Sequence, residues 1–366
     1  MYVDSVGVEL NYGQEKLKAR EFVVGGVAIG DREKCFVIAE IGHNHQGSIE
    51  TAKQMIKAAV DSGATAVKLQ KRSNKSLFTK RYFDRPYDSE NSFGSTYGEH
   101  RENLEFNEDQ YRALQVFSAD LGVILFATAF DFESADFLEA LNVPAFKLAS
   151  GDLKNTPLIK YLATFRKPIF LSTGGGTLDD VDRAIDLLET MDTPYCLMQC
   201  TAGYPPSWNE LNLNVISEFR VRYSSAVIGF SSHDNGIAMA VAAYALGSRV
   251  IEKHFTLNRT MKGTDHAFSL EPQGLRKMVR DLDRLHLAMG DGVKRQFESE
   301  VDPLQKMGKK IVLNKFLLAG SVIRESDIAF RSPGDGLPPY LVAQIVGKVL
   351  MRDLEEDETI NLVDVR

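Results

Sequence analysis

The chain is short of the residues that would mark several common protein classes. Its 366 residues include one tryptophan and three cysteines, Cys35, Cys196 and Cys200. An odd cysteine count, with two of the three inside apolar runs, argues against a disulfide framework and for a reducing compartment. The thiols read as small core hydrophobes, since nothing marks a base partner for Cys200. No stretch approaches the roughly 18 consecutive apolar residues of a membrane span. The opening MYVDSVGVELNYGQEKLKAR has no apolar signal core. These absences predict a cytoplasmic protein with no membrane partner. Basic residues are not in excess: 43 Lys and Arg against 50 Asp and Glu leave a net charge of −7. That balance disfavours a nucleic-acid partner. No GxGxxG turn follows the first apolar run, and no short repeat or low-complexity tract is present.

What is present is a globular composition, 44% hydrophobic and 25% charged. Short β-branched runs at 36–42, 64–70, 123–129, 145–150, 168–174, 193–200, 227–233 and 249–255 alternate with amphipathic stretches at 49–62, 108–120, 133–141, 156–165, 178–190, 210–222, 236–247 and 272–289. Apolar strands separated by helices imply a parallel sheet covered by helices. Eight such units in about 255 residues match a closed (β/α)8 TIM barrel. An open doubly wound sheet is the alternative. Residues 1–35 precede the first unit and are expected to cap the barrel floor as a hairpin. Residues 36–289 form the barrel, 290–308 a charged linker with some helix, and 309–366 a small, mostly β domain. The segment 71–107 is too long for an ordinary βα loop and reads as a functional lid. Its mixture of Arg, Tyr and Phe over 80–101 suits a sugar and a solvated surface equally.

Active sites of parallel barrels lie at the carboxyl ends of the strands, so the polar residues closing each run carry the weight. They are Glu40; Lys68 and Gln70; Thr128; Lys147, Ser150 and Asp152; Ser172; Thr201 and Tyr204; His233; and Glu252 with His254. One such residue alone is an ordinary satisfied core group. Polar groups at all eight ends are not, because unpaired buried charge is costly. His233 and His254, at corresponding positions on neighbouring strands, suit one divalent cation with open positions for water and substrate. Two hydrogen-bonded core histidines are the alternative. Lys68 and Lys147 suit a phosphate or carboxylate, or else form structural ion pairs with Glu40 and Glu252. The Ser172-Thr173-Gly174-Gly175-Gly176 run would let backbone N–H groups approach an anion at a helix start. Trp208 reads as loop packing.

In order along the chain, VIAEIGHNHQGS, AVKLQKR, FKLASGD, LSTGG, CTAGYP, GFSSHDNGIAMAVAAYALGSRVIEKHFTLNR and GTDHAFSLEP resemble the N-acetylneuraminate (sialic acid) synthase family, and the tail resembles its antifreeze-like, or SAF, domain. The resemblance implies a TIM barrel that condenses phosphoenolpyruvate with N-acetylmannosamine or a related mannosamine-type sugar. It implies a divalent cation, Mn2+ or Mg2+, and a homodimer in which each small domain covers the partner's barrel. Residue by residue, it implies His233 and His254 as metal ligands and Glu40 as the acidic residue handling water and protons. It places Lys68, Thr128, Lys147, Ser150 and Ser172 around phosphoenolpyruvate, and Gln70, Tyr204, Glu252 and Asp265 near metal or sugar. Asp152 stands where the family commonly has Glu. Ala202 replaces an asparagine that contacts phosphoenolpyruvate in some members. Arg331 is followed by Ser332-Pro333-Gly334, one residue removed from the family's Arg-Pro-Gly, whose arginine binds the sugar's N-acyl group. Synthases of legionaminate, pseudaminate, a deaminated nonulosonate or spore-coat sugars share the pattern. His43-x-His45 also suits a metal-dependent amidohydrolase, although Ser172-Thr173 and Cys200-Thr201 stand where that class needs histidines. A carbohydrate-binding protein without activity is a third reading, disfavoured by the intact His, Lys and Glu set.

Overall fold

The computed structural model describes residues 20–366, so residues 1–19 of the expected floor cap lie outside the described part. The chain divides into two compact units at Gly290/Asp291.

The first unit opens with an antiparallel hairpin, β1 (Glu21–Val24) and β2 (Val27–Gly30). Eight parallel strands follow: β3 (Phe36–Gly42), β4 (Ala66–Lys71), β5 (Ile124–Ala129), β6 (Phe146–Leu148), β7 (Ile169–Ser172), β8 (Tyr195–Cys200), β9 (Val227–Ser232) and β10 (Val250–His254). They close into a barrel in which β10 pairs with both β9 and β3. An open sheet is thereby excluded. Side chains alternate across a strand, and the burial follows that period. Val37, Ala39, Val67, Leu69, Leu125, Ile169, Leu171 and Ile251 join the core under the helices. The alternate residues Phe36, Ile38, Ala66, Phe126, Phe170, Met198 and Val250 form a separate inner core, joined by Val24 and Ile29 of the hairpin. Phe170 stacks on Phe36 and Phe126 and meets the edge of Phe22. The hairpin therefore seals the amino-terminal end of the barrel with apolar side chains.

The covering helices are α1 (Ile49–Asp61), α5 (Glu108–Asp120), α6 (Phe132–Ala140), α7 (Thr156–Ala163), α8 (Leu178–Thr190), α9 (Asn214–Arg222), α10 (Ala238–Ala245) and α11 (Pro272–Ala288). Ser48 caps α1 by accepting from the Thr51 N–H, the single half of a capping box that its sequence allows. Between β4 and α5 the long connection folds into α2 (Asn74–Leu77), α3 (Lys80–Phe83) and α4 (Tyr97–Glu102). Phe78, Tyr82, Tyr87, Tyr97 and His100 pack ring against ring within it. It is an ordered lid, not a solvated loop.

The second unit, Asp291–Arg366, begins with α12 (Val301–Met307). Its strand content is one antiparallel pair, β11 (Lys310–Leu313) with β12 (Ile328–Arg331), extended by isolated bridges such as Leu317–Leu354 and Val322–Val349. Ile311, Leu313, Ile323, Ile345, Leu350, Leu354 and Ile360 form its core. The Gly334 N–H donates to the Gln305 carbonyl at 2.7 Å, which holds the Ser332–Gly336 loop against α12.

Candidate active site

At the carboxyl end of the barrel the inward face changes character within one step of two residues. Ile38 is succeeded by Glu40, Ala66 by Lys68, Phe126 by Thr128, Phe170 by Ser172 and Val250 by Glu252. These groups line a cavity of about 610 Å3. Parallel register sets Glu40 between Lys68 and His254, and Thr128 between Gln70 and Lys147.

Four buried charges occupy its base. Lys68 Nζ lies 2.5 Å from Glu40 Oε2 and 3.6 Å from Glu252 Oε1, and donates to Thr128 Oγ1 at 2.8 Å. Lys147 Nζ lies 3.3 Å from Glu252 Oε1. Gln70 Nε2 donates to Glu40 Oε1 at 2.7 Å, and Ser231 Oγ donates to Glu252 at 3.4 Å. The two carboxyls are not equivalent. Burial pushes Glu40 up against the pull of Lys68, and the charge of Glu252 adds to that push. Burial opposes ionisation of Glu252 as well, but Lys147 and Lys68 outweigh it and hold this carboxyl at about 2. Neighbouring acids driven apart in this way can take different roles. Among the described residues, Glu252 Oε2, Ser172 Oγ and His254 Nδ1 are buried without a hydrogen-bond partner. Interior polar atoms are normally paired, so these three mark where the wall is built to meet something else.

His233 and His254 stand with ring centroids 5.2 Å apart. His233 Nδ1 faces the Thr201 carbonyl at 3.1 Å, which leaves Nε2 free. His254 Nδ1 lies 3.8 Å from Asp265 Oδ2. Burial holds both rings neutral, His233 at about 3 and His254 at about 4, and neutral imidazole is the metal-binding form. Tyr204 lies over His233 at 4.0 Å, and Phe268 meets both imidazoles edge-on. No group of three or more His, Cys, Asp or Glu suited to a metal occurs among the described residues. Two imidazoles with open positions is the arrangement this wall offers.

The lid adds Arg72, Tyr87, Tyr97 and Arg101 to the lining. These residues lie in an irregular segment without hydrophobic period, where strand alternation gives no signal; the Arg and Tyr content of 80–101 points to Tyr87, Tyr97 and Arg101, and nothing in the sequence pattern marks Arg72.

Of the residues read from the sequence, Glu40, Lys68, Gln70, Thr128, Lys147, Ser150, Ser172, Tyr204, His233, Glu252, His254 and Asp265 all line this one cavity. Asp152 does not. Residues Ser150–Asp152 form a 3-10 turn, and Asp152 Oδ1 accepts from Asn155 Nδ2 at 3.0 Å, beside the start of α7. Arg331 lies on β12 in the second unit, paired with Asp357 and Glu356. The triglycine run is used differently from expectation. Gly174 N–H donates to Ser150 Oγ at 3.0 Å, and Gly175 and Gly176 line a separate cleft. Trp208 is 62% exposed and not packed into its loop. His43 and His45 sit behind the cavity wall, His45 stacked on Phe106 and accepting from the Gly47 N–H. That placement removes the paired-histidine site an amidohydrolase would need. The three cysteines are free, Cys196 and Cys200 buried, and burial raises all three thiols. No helix among the described residues is long and apolar enough to cross a membrane.

Comparison with known proteins agrees with this geometry. Residues 55–294 match the NeuB family and residues 311–366 the SAF domain. The chain is 38% identical to the N-acetylneuraminate-9-phosphate synthase of Homo sapiens, over 92% of this chain and 94% of that one. It is 33% identical to the N,N'-diacetyllegionaminic acid synthase of Campylobacter jejuni, over 90% and 99%. A crystal structure of N-acetylneuraminic acid (sialic acid) synthetase from Leptospira borgpetersenii, in complex with citrate, superposes with a TM-score of 0.69 at 29% identity. That match covers 78% of this chain and 95% of the other.

Proposed function

The chain belongs to the NeuB family of synthases and carries a SAF domain, and from that premise we propose that it condenses phosphoenolpyruvate with a mannosamine-type sugar to give a nine-carbon 2-keto acid and inorganic phosphate. The observation that carries the reading is the buried Glu40, Lys68, Lys147 and Glu252 quartet at the base of the cavity.

In this reading C3 of phosphoenolpyruvate attacks the aldehyde carbon of the open-chain sugar, and the aldehyde oxygen takes up a proton. Water adds at C2, loses a proton, and the tetrahedral intermediate expels phosphate as C2 becomes a ketone. Lys68 and Lys147, both buried, face the phosphate and carboxylate as charge redistributes, and fixed charge acts strongly where it is withdrawn from solvent. Thr128, Ser150, Ser172 and Ser231 surround the same ligand with hydroxyls. Glu40, hydrogen-bonded by Gln70 and aimed between Lys68 and His254, is the group placed to move the protons. Glu252, flanked by both lysines, stays an anion that positions them.

The two imidazoles and the unpartnered His254 Nδ1 fit a divalent cation, Mn2+ or Mg2+, held by His233 and His254. Such a cation supplies Lewis acidity toward the aldehyde oxygen. The same reading makes the enzyme a homodimer in which Arg331, on the second unit of one copy, reaches the acceptor sugar in the other.

Phosphate release from phosphoenolpyruvate, measured with and without N-acetylmannosamine or its 6-phosphate, tests the reaction. Release that requires the sugar supports it; release without sugar, or none with any mannosamine derivative, rejects it. Chelation should abolish turnover and Mn2+ or Mg2+ restore it, with His233→Ala and His254→Ala folded but inactive. Mixing inactive Arg331→Ala and His254→Ala subunits should regain activity if the domain acts across the dimer.

A further inference from the structure

Behind the cavity wall lies a buried ion pair that the proposed reaction does not use. Lys253 and Asp234 are both almost fully withdrawn from solvent. Lys253 Nζ donates to Asp234 Oδ1 at 2.9 Å and to the main-chain carbonyl of the same residue at 2.5 Å. Taking two charges out of water costs several kcal/mol per ion, and apolar side chains of similar volume often stabilise a fold as well or better. Asp234 Oδ2 is buried without a partner, so this pair is not even a fully satisfied network. Stability alone explains it poorly.

The pair sits next to both imidazoles in the chain. Lys253 stands between Glu252 and His254, and Asp234 directly follows His233. Side chains alternate along a strand, so Glu252 and His254 line the cavity while Lys253 points away from it. The parallel ladder between β9 and β10 runs to the Ser232–Lys253 step, where β9 ends. His233 lies one residue past that last step. Its ring is fastened on the β8 side, where Nδ1 faces the Thr201 carbonyl at 3.1 Å. Among the described residues, neither His233 nor Asp234 forms a main-chain hydrogen bond to β10. Asn235, the next residue, accepts from Arg259 Nη2 at 2.9 Å, but that contact is exposed to solvent.

His254, in contrast, is held by the main chain itself. The Leu270 N–H donates to its carbonyl at 2.7 Å, and the Phe255 N–H that follows donates to the Glu40 carbonyl at 2.8 Å. Lys253 therefore supplies a side-chain rung where the ladder stops. From the outer face it holds the backbone of residue 234, and with it the place of the His233 ring beside His254, 5.2 Å between centroids. Two imidazoles share one ion only when a nitrogen of each comes within roughly 2 Å of it. A displacement on the order of 1 Å at residue 233 is enough to break that arrangement.

We infer that Lys253 and Asp234 are positioning residues for the divalent cation, their rung setting the spacing at which His233 and His254 take the ion together. The inference rests on the cation proposed at those imidazoles, and it gives a role to two residues outside the cavity lining.

The test reads Mn2+ binding to the full-length apoprotein, from the EPR signal of free Mn2+, with no substrate present. Binding that is lost in His254→Ala marks the part belonging to this site. Lys253→Met combined with Asp234→Asn removes the pair without stranding either charge. Groups that orient metal ligands from behind are worth about tenfold to hundredfold in affinity. The double variant should weaken the site's Mn2+ binding by that factor, while its thermal midpoint in EDTA stays near that of the wild type. Saturating Mn2+ should return kcat to within about threefold of the wild type at an unchanged KM for phosphoenolpyruvate, a split that a general loosening of the fold would not give. A folded double variant that binds Mn2+ as tightly as the wild type overturns the inference. If the double variant does not fold, Lys253→Arg decides, because it keeps the charge pair but changes the length and shape of the rung. Weaker Mn2+ binding by that variant upholds the inference, and equal binding overturns it. A wild type that binds no Mn2+ at the two histidines removes the cation itself, and the inference with it, whether or not condensation occurs.

Discussion

The two ends of the barrel interior are built by the same strands and the same inward-facing positions, yet they solve opposite problems. At the floor, Phe36, Phe126, Phe170 and Met198 interlock under the hairpin residues Val24 and Ile29. At the mouth, one step along each strand, Glu40, Lys68, Lys147 and Glu252 are buried at the same depth from solvent. The floor removes apolar surface from water, the main favourable term in folding. The mouth takes charges out of water, which costs several kcal/mol per ion before pairing. Stability and chemistry are thus separated along the barrel axis, not between domains, and the apolar end supports the charged one.

Substitutions at each end should pull these properties apart. The largest effect is expected from Glu40→Gln combined with Lys68→Met, which removes a buried pair together and leaves neither charge stranded. Activity should fall by at least about a thousandfold. The thermal midpoint should hold or rise, because buried ion pairs are often no better than apolar replacements. A collapse of the midpoint would mean that the mouth supports the fold. At the floor, Phe170→Ala removes a ring touching Phe22, Phe36 and Phe126, and should cost about 3–5 kcal/mol in denaturant unfolding. Turnover per folded molecule should stay within about twofold.

A smaller effect concerns pH. Burial, with Arg101 and Lys262 nearby, holds the lid residue His100 at about 4, and burial with His43 nearby holds His45 at about 3, both below the ordinary 6.5. His100 Nδ1 accepts from the Phe93 N–H and so is held neutral. Each group binds fewer protons folded than unfolded, so stability is full above pH 6.5 and declines as pH falls through the window toward 4. Hydrogen exchange across residues 72–107 should quicken over that window before exchange in the hairpin does, and His100→Gln should flatten the response. The smallest effect belongs to Trp208→Ala. An exposed side chain off the cavity wall should change stability by less than about 0.5 kcal/mol and leave KM unaltered.

The mouth residues were legible because a strand has a period of two and a barrel has one catalytic end. Those two facts select Glu40, Lys68, Gln70, Glu252 and His254 from their neighbours, including Lys253, which points outward to Asp234 at 2.9 Å. The lid arginines were not legible in this way. Arg72 and Arg101 converge through His43, which lies on a different connection, and no local pattern encodes that meeting. Asp152 was misplaced by the same reasoning that found Ser150, because a tight 3-10 turn after β6 ends the alternation and rotates its carboxylate toward Asn155. Arg331 is identified by motif, and within its own unit it pairs with Asp357 and Glu356; the proposed action on a sugar across a homodimer is left to the mixing experiment.

The central claim is that the charged mouth joins carbon to carbon and does more than release phosphate. Phosphoenolpyruvate labelled with 13C at C3, incubated with the enzyme, Mn2+ and N-acetylmannosamine or its 6-phosphate, reports this directly by NMR. The account predicts that the label becomes a methylene carbon bonded to the former aldehyde carbon, with one phosphate released per product. Label appearing in the methyl group of pyruvate, or remaining in phosphoenolpyruvate with either sugar present, would contradict it.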